Sequence, residues 1–190
     1  MSSIASQFAQ QLLEVQCIKL QPTQPFTWAS RWLSPFYCDN RKTLAYPKVR
    51  TFVKEQLAAM IREQYPEATA IAGVATGAIA QGALVADALD LPMCYVRAKA
   101  KDHGMGNLIE GTLPEGAKVV VVEDLISTGG SSLKAVEALR AAGFEILGMV
   151  ASFTYGFPVA EEAFRAANVT LTTLTNYEAV VETARAIGYI

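Results

Sequence analysis

The apolar positions of this chain change their period along its length. Ile4, Phe8 and Leu12 recur at helical spacing among Ser and Gln residues, and Ser2 or Ser3 can cap the helix they predict. Residues 17 to 46 lose that period. Pro22, Pro25 and Pro35, several aromatics and short β-like runs mark a small separate lobe. Pro47 then opens a predicted second helix with Val49, Phe52, Val53, Leu57 and Met60 on one face, ending near Tyr65–Pro66.

From residue 70 onward short apolar runs (AIAGV, MCYV, KVVVVE, EILGMVAS, VTLTTL) alternate with helical patterns, among them 78–90 and 131–142, the latter followed by Gly143. Strand followed by helix, repeated, predicts an α/β fold with a parallel sheet. The valines at 119–122 are apolar on both faces, as a central strand covered on each side must be. Ligands in such sheets lie beyond the carboxyl ends of the strands, so the loops after residues 74, 96, 122 and 152 are the candidate site.

At 190 residues the chain makes one domain, large enough to bury about 70% of its unfolded surface without staples. An apolar fraction of 52% and a charged fraction of 18% exclude general disorder. Sixteen basic and eighteen acidic residues nearly cancel, so no overall field draws nucleic acid or an anionic membrane, and neither is expected as a partner. Cys17, Cys38 and Cys94 are scattered and form no C-x-x-C pair, which predicts reduced thiols. Residues 1–18 contain no Lys or Arg, and residues 70–86 are interrupted by three glycines, Thr76 and Gln81. A cytoplasmic protein with no secretory signal and no membrane span is expected.

The segment VVVVEDLISTGGSSLKAVEALR, residues 119–140, carries the most chemistry. A buried strand delivers the adjacent carboxylates Glu123 and Asp124, and a Ser/Thr/Gly turn enters a helix near Ser131. The amides of Ser127, Thr128, Gly129, Gly130 and Ser131 can converge on a phosphate, assisted by hydroxyls and the positive end of the helix dipole. The pattern is neither a triphosphate-binding loop nor G-x-G-x-x-G. Carboxylates just before such a cradle suit the vicinal hydroxyls of a phosphorylated sugar; a capped turn with solvated acids is the plainer alternative. Ala75, Thr76 and Gly77, between a predicted strand and helix, make a second candidate cradle. Arg97, Lys99, Lys101 and His103, with Gly104 and Gly106 to let the loop bend, could close over a diphosphate or form an ordinary solvated basic loop.

EDLISTGGSS resembles the phosphoribosyl-diphosphate signature of the type I phosphoribosyltransferases. LSPFYCDNRKTL at 33–44, GVATGAIAQGALVA at 73–86 and YVRAKAKDHGMGNLIEG at 95–111 are similar to its orotate branch, in order and at family-like spacing. The resemblance covers roughly residues 20–140. It implies the type I phosphoribosyltransferase fold: a central parallel sheet flanked by helices, with residues 1–46 as an N-terminal helix and hood and 47–190 as the α/β core of a single domain.

For the site, the resemblance implies that Arg97, Lys101 and His103 contact the diphosphate and reach the neighbouring subunit's site in a homodimer. Ala75, Thr76 and Gly77 contact the diphosphate, commonly through a strained peptide bond. Glu123, Asp124, Leu125, Ile126 and the 127–131 turn hold the phosphoribosyl group. Phe36 and Tyr37, otherwise read as lobe core, belong to a hood over the pyrimidine, and Ser127 also touches orotate. Lys101, His103 and Asp124 are the implied catalytic residues, with Mg²⁺ brought mainly by substrate and no all-protein metal site. The implied reaction joins orotate to phosphoribosyl diphosphate in UMP synthesis; another base, or a non-catalytic sensor of the same fold, is the alternative. The chain departs from the family at Ala98 and Ala29, where many or some members carry lysine, and in ASFTYGFP, which lacks an arginine that elsewhere meets the orotate carboxylate.

Overall fold

The computed structural model describes residues 3–21, 23–27, 33–98 and 108–190. Helix α1 (Ile4–Glu14) is capped by Ser3, whose Oγ accepts from the Ser6 amide at 3.1 Å. Its Phe8 and Leu12 are buried as the period requires, whereas Ile4 is exposed. The hood follows as two short antiparallel pairs: β1 (Ile18–Leu20) with β4 (Phe36–Cys38), and β2 (Phe26–Thr27) with β3 (Leu33–Ser34). A 3₁₀ helix, Asn40–Ala45, then leads into α2 (Pro47–Gln64), which starts at the proline and buries Val49, Val53 and Leu57.

The core strands are β5 (Ala70–Val74), β6 (Met93–Val96), β7 (Ile109–Glu110), β8 (Lys118–Ile126), β9 (Glu145–Thr154) and β10 (Leu171–Asn176). They form one sheet in the order β10-β9-β8-β5-β6-β7, parallel except for β7, which pairs antiparallel with β6 at the edge. Helices α3 (Ile79–Leu89), α4 (Gly130–Ala141), α5 (Pro158–Ala166) and α6 (Tyr177–Ala186) complete the α/β core. Alternation along the β8 valines divides the interior. Val120 and Val122 join the core beneath α1, α2, α3 and α6, while Val119 and Val121 join the one beneath α4 and α5. All four valines are fully buried.

Three strands differ in extent from the apolar runs that predict them. β8 continues to Ile126 and β9 to Thr154, because the two remain paired through Ile126–Thr154. Glu123 and Asp124 therefore sit within a strand rather than in the loop after it. β10 begins and ends two residues later than the VTLTTL run. The edge strand β7 carries too short a pattern to register in sequence. No helix among the described residues is long and apolar enough to cross a membrane.

Candidate active site

β5 and β8 are hydrogen-bonded neighbours, so their carboxyl ends bring the two predicted cradles side by side. The first is the turn between β5 and α3, in which the Ala75–Thr76 peptide bond is cis. The second runs from Ser127 to Ser131 and enters α4 at Gly130 without a side-chain cap, leaving first-turn amides to meet an anion. Gly129 is the N-cap of α4 at φ +80°, a left-handed conformation that favours glycine, and a Cβ there would meet the Phe164 ring at 2.7 Å.

Gly77 answers a different requirement. It is not left-handed, but a Cβ on it would collide with both carboxylate oxygens of Asp124. The first cradle is thus packed directly onto the acid of β8, and the Asp124 carboxylate lies where the two cradles meet.

The two acids have distinct surroundings. Asp124 is half-buried, whereas Glu123 is 4% exposed. One Glu123 oxygen, Oε1, accepts from the Asp124 amide at 2.9 Å, and Oε2 accepts from Ser132 Oγ at 2.8 Å. Both oxygens are held by the chain itself, and the Ser132 bond spans the cradle from β8 to the first turn of α4. Burial, and then the charge of Asp124, push the Glu123 carboxyl up to about 8. The protonated form of Glu123 is therefore favoured to a higher pH than that of an ordinary carboxyl.

A pH dependence follows from this. An acid whose folded pKa lies above its unfolded value contributes stability that is fully present below about 4.5 and is lost as pH rises towards 8. Glu123→Gln keeps a carbonyl for the Asp124 amide and an amide for Ser132 Oγ, so it should flatten that slope and be the more stable protein at pH 8. Denaturant midpoints across pH 5 to 9 measure this, and parallel curves for the two proteins would refute it.

Arg97 directly follows β6, with its amide donating to the Leu108 carbonyl at 2.8 Å and its guanidinium 3.4 Å from Glu110 Oε1. A cleft of about 730 Å³ opens between this strand end and α4, lined by Ala75, Arg97, Gly130, Ser131 and Lys134 among others. Elements of both cradles and two cations thus share one opening. Lys99, Lys101, His103, Gly104 and Gly106 lie outside the described residues, as does Ala29.

The remaining predicted residues divide by exposure. Ser127 is half-buried and Thr128 and Ser131 are exposed at the mouth. Leu125 is half-buried; Ile126 is fully buried, and its carbonyl accepts from the Tyr155 amide at 3.0 Å. The Phe36 ring is 2% exposed and packs on Phe153, Tyr155 and Tyr177 at 5.6, 5.4 and 5.1 Å. Its side chain is core, seated between the hood and the α/β sheet. Tyr37 is exposed and leans on Phe26 at 5.6 Å. Ser132 and Asn40, the latter donating from Nδ2 to the Asp124 carbonyl at 2.7 Å, were not among the residues predicted. Ser132 belongs to the quoted motif, but nothing in sequence says that it reaches back to Glu123.

Comparison with known proteins agrees with this geometry. The family described as phosphoribosyl transferase domain matches residues 49–186. An orotate phosphoribosyltransferase of Bacteroides thetaiotaomicron is 66% identical over 190 residues, all of this chain and 90% of that one. That of Porphyromonas gingivalis is 60% identical over the same span. The chain belongs to the orotate phosphoribosyltransferase family. The crystal structure of the orotate phosphoribosyltransferase from Aeropyrum pernix superimposes with a TM-score of 0.82 at 27% identity, covering 96% of this chain and 99% of that one. The family's fold is therefore the one seen here, including the mainly parallel sheet flanked by helices.

Proposed function

We propose that this chain transfers the 5-phosphoribosyl group from phosphoribosyl diphosphate to orotate, forming orotidine 5′-phosphate and diphosphate on the route to UMP. The bond from ribose C1 to the diphosphate oxygen breaks as the bond to the pyrimidine nitrogen forms, and the proton that this nitrogen gives up leaves with the diphosphate. The observation that carries the reading is the junction of two anion cradles on Asp124, with Gly77 packed against its carboxylate. A departing diphosphate leaves positive charge on the ribose ring, and a fixed carboxylate beside the sugar stabilises it. The 127–131 turn suits the 5-phosphate and the 75–77 turn the diphosphate, which Arg97 approaches from β6. Glu123, with both oxygens engaged, braces the cradle more than it contacts sugar.

Magnesium fits this site as a companion of the substrate. Among the described residues no group of three or more His, Cys, Asp or Glu could hold a metal ion, while Asp124 supplies a hard oxygen at the mouth. Such an ion would neutralise charge gathering on the diphosphate. The test is consumption of phosphoribosyl diphosphate with orotate, uracil, adenine or hypoxanthine as acceptor, with and without Mg²⁺. Turnover with orotate alone is expected; equal use of uracil would overturn the specificity.

The proposal includes a cytoplasmic homodimer in which Lys101 and His103 complete the partner's site, supported by the family's resemblance in that loop. Lys101→Ala and Asp124→Asn, each strongly impaired alone, are mixed and their dimers allowed to re-form at random. Half the dimers are then mixed, and one of the two sites in each is intact, restoring about a quarter of wild-type activity. Mixed dimers demonstrated by mass but lacking activity would exclude the shared site.

A further inference from the structure

β8 outruns its neighbour. Its pairing with β5 ends at Val122–Gly73, whereas the strand itself continues through Ile126, held on the other side by β9. Asp124 stands in this overhang, where no β5 backbone runs alongside to fix it. A carbonyl in a closed site needs a donor, and a strand end without one shifts or frays.

The hood supplies that donor. Asn40 opens the 3₁₀ helix, is 5% exposed, and gives its Nδ2 to the Asp124 carbonyl at 2.7 Å. Its own side-chain oxygen accepts from Cys38 Sγ at 3.4 Å, so the amide is held at both ends. The Asn40 carbonyl accepts from Thr43 Oγ1 at 2.6 Å, and Thr43 Oγ1 in turn accepts from Gln81 Nε2 of α3 at 3.3 Å. Thr43 and Gln81 are 1% and 4% exposed. Three buried polar side chains thus run from the helix that follows the first cradle, through the base of the hood, to the acid strand. The links at Asn40 and Thr43 are paired, while Gln81 Oε1 at the far end finds no partner among the described residues; paired buried polar groups favour one arrangement where apolar packing would allow several.

We infer that Asn40 is a positioning residue for Asp124: it replaces the missing strand beside the overhang and holds the carboxylate against Gly77. The inference rests on the proposed phosphoribosyl transfer, in which Asp124 acts on the transition state. Asn40 itself touches no reacting atom. Its effect should therefore appear in kcat and vanish when the Asp124 charge is absent, since displacement of a catalytic group by about 1 Å costs up to about 100-fold.

The test is a double-mutant cycle on the full chain. Asn40→Ala is expected to lower kcat by about 10- to 100-fold with the KM values for orotate and phosphoribosyl diphosphate within about threefold. In an Asp124→Asn background the same change should cost less than about threefold. A general structural role predicts the opposite: raised KM values, a fall in thermal midpoint that explains the activity, and losses that multiply in the double variant. Should Asn40→Ala fail to fold, Thr43→Val keeps the side-chain volume and removes the hydroxyl that anchors Asn40, and the same kcat loss and non-additivity are expected of it. Multiplicative losses in an active wild-type background would overturn the Asn40 assignment alone. A wild-type chain inactive with every base would overturn the reaction, and the positioning role with it.

Discussion

Asp124→Asn should leave the fold intact and lower turnover by about 30- to 1,000-fold. The magnitude is the roughly 2 to 4 kcal/mol expected when a preorganised group facing transition-state charge is lost, at about 1.4 kcal/mol per tenfold. The fold should survive because the carboxylate belongs to neither apolar core and the contact made through this residue from the hood uses its backbone carbonyl, which asparagine retains. The KM for phosphoribosyl diphosphate should move little, since both anion cradles are built from backbone amides and hydroxyls. Steady-state kinetics at saturating substrates, with circular dichroism as the fold control, decide the matter. Turnover within about twofold of wild type would remove the electrostatic role from Asp124.

Gly77→Ala should come close to that loss without touching a charge. Ala is compatible with the Gly77 backbone, which is not left-handed, so the new methyl group acts through space. Its nearest neighbours are the atoms of the Asp124 carboxylate, the mobile end of a side chain, and that carboxylate must swing away to accommodate it. The protein should therefore fold with a thermal midpoint within a few degrees of wild type while kcat falls at least tenfold, as expected for displacement of a preorganised group. Combined with Asp124→Asn, the substitution should add little, because the group it displaces has already lost its charge. A raised KM for phosphoribosyl diphosphate at unchanged kcat would show instead that the 75–77 turn gives way and Asp124 stays in place.

Much of this architecture is legible without coordinates, and the physical reason is local. The AIAGV and MCYV runs match β5 and β6 to the residue because apolar residues bounded by turn formers have one way to be buried. Pro47 opens α2 because a proline has no amide to lose in the first turn. The turn from Ser127 to Ser131 is readable as an anion cradle because it needs only small residues at a helix N-terminus, a property of consecutive positions.

What tertiary structure alone decided involves residues far apart in the chain. The carboxyl end of β8 looked like a loop because its polarity rises at Glu123, yet it stays a strand because β9 pairs with it to Ile126. Phe36 carries the same side chain whether it caps a ligand or fills a core; the rings of Phe153, Tyr155 and Tyr177 make it core. Glu123 and Asp124 are adjacent and chemically alike in sequence, and burial and Ser132 separate them into a fully engaged buried acid and a half-buried one. Asn40 lies 84 positions from Asp124, and no periodicity or spacing encodes a hydrogen bond across that distance. The sequence by itself determined the alternating strands and helices and the chemistry of the turns between them, because those depend on neighbours in the chain. The tertiary structure decided which acid is buried, which keeps solvent access, and which distant side chain bonds the backbone beside it, because burial and pairing depend on neighbours in space.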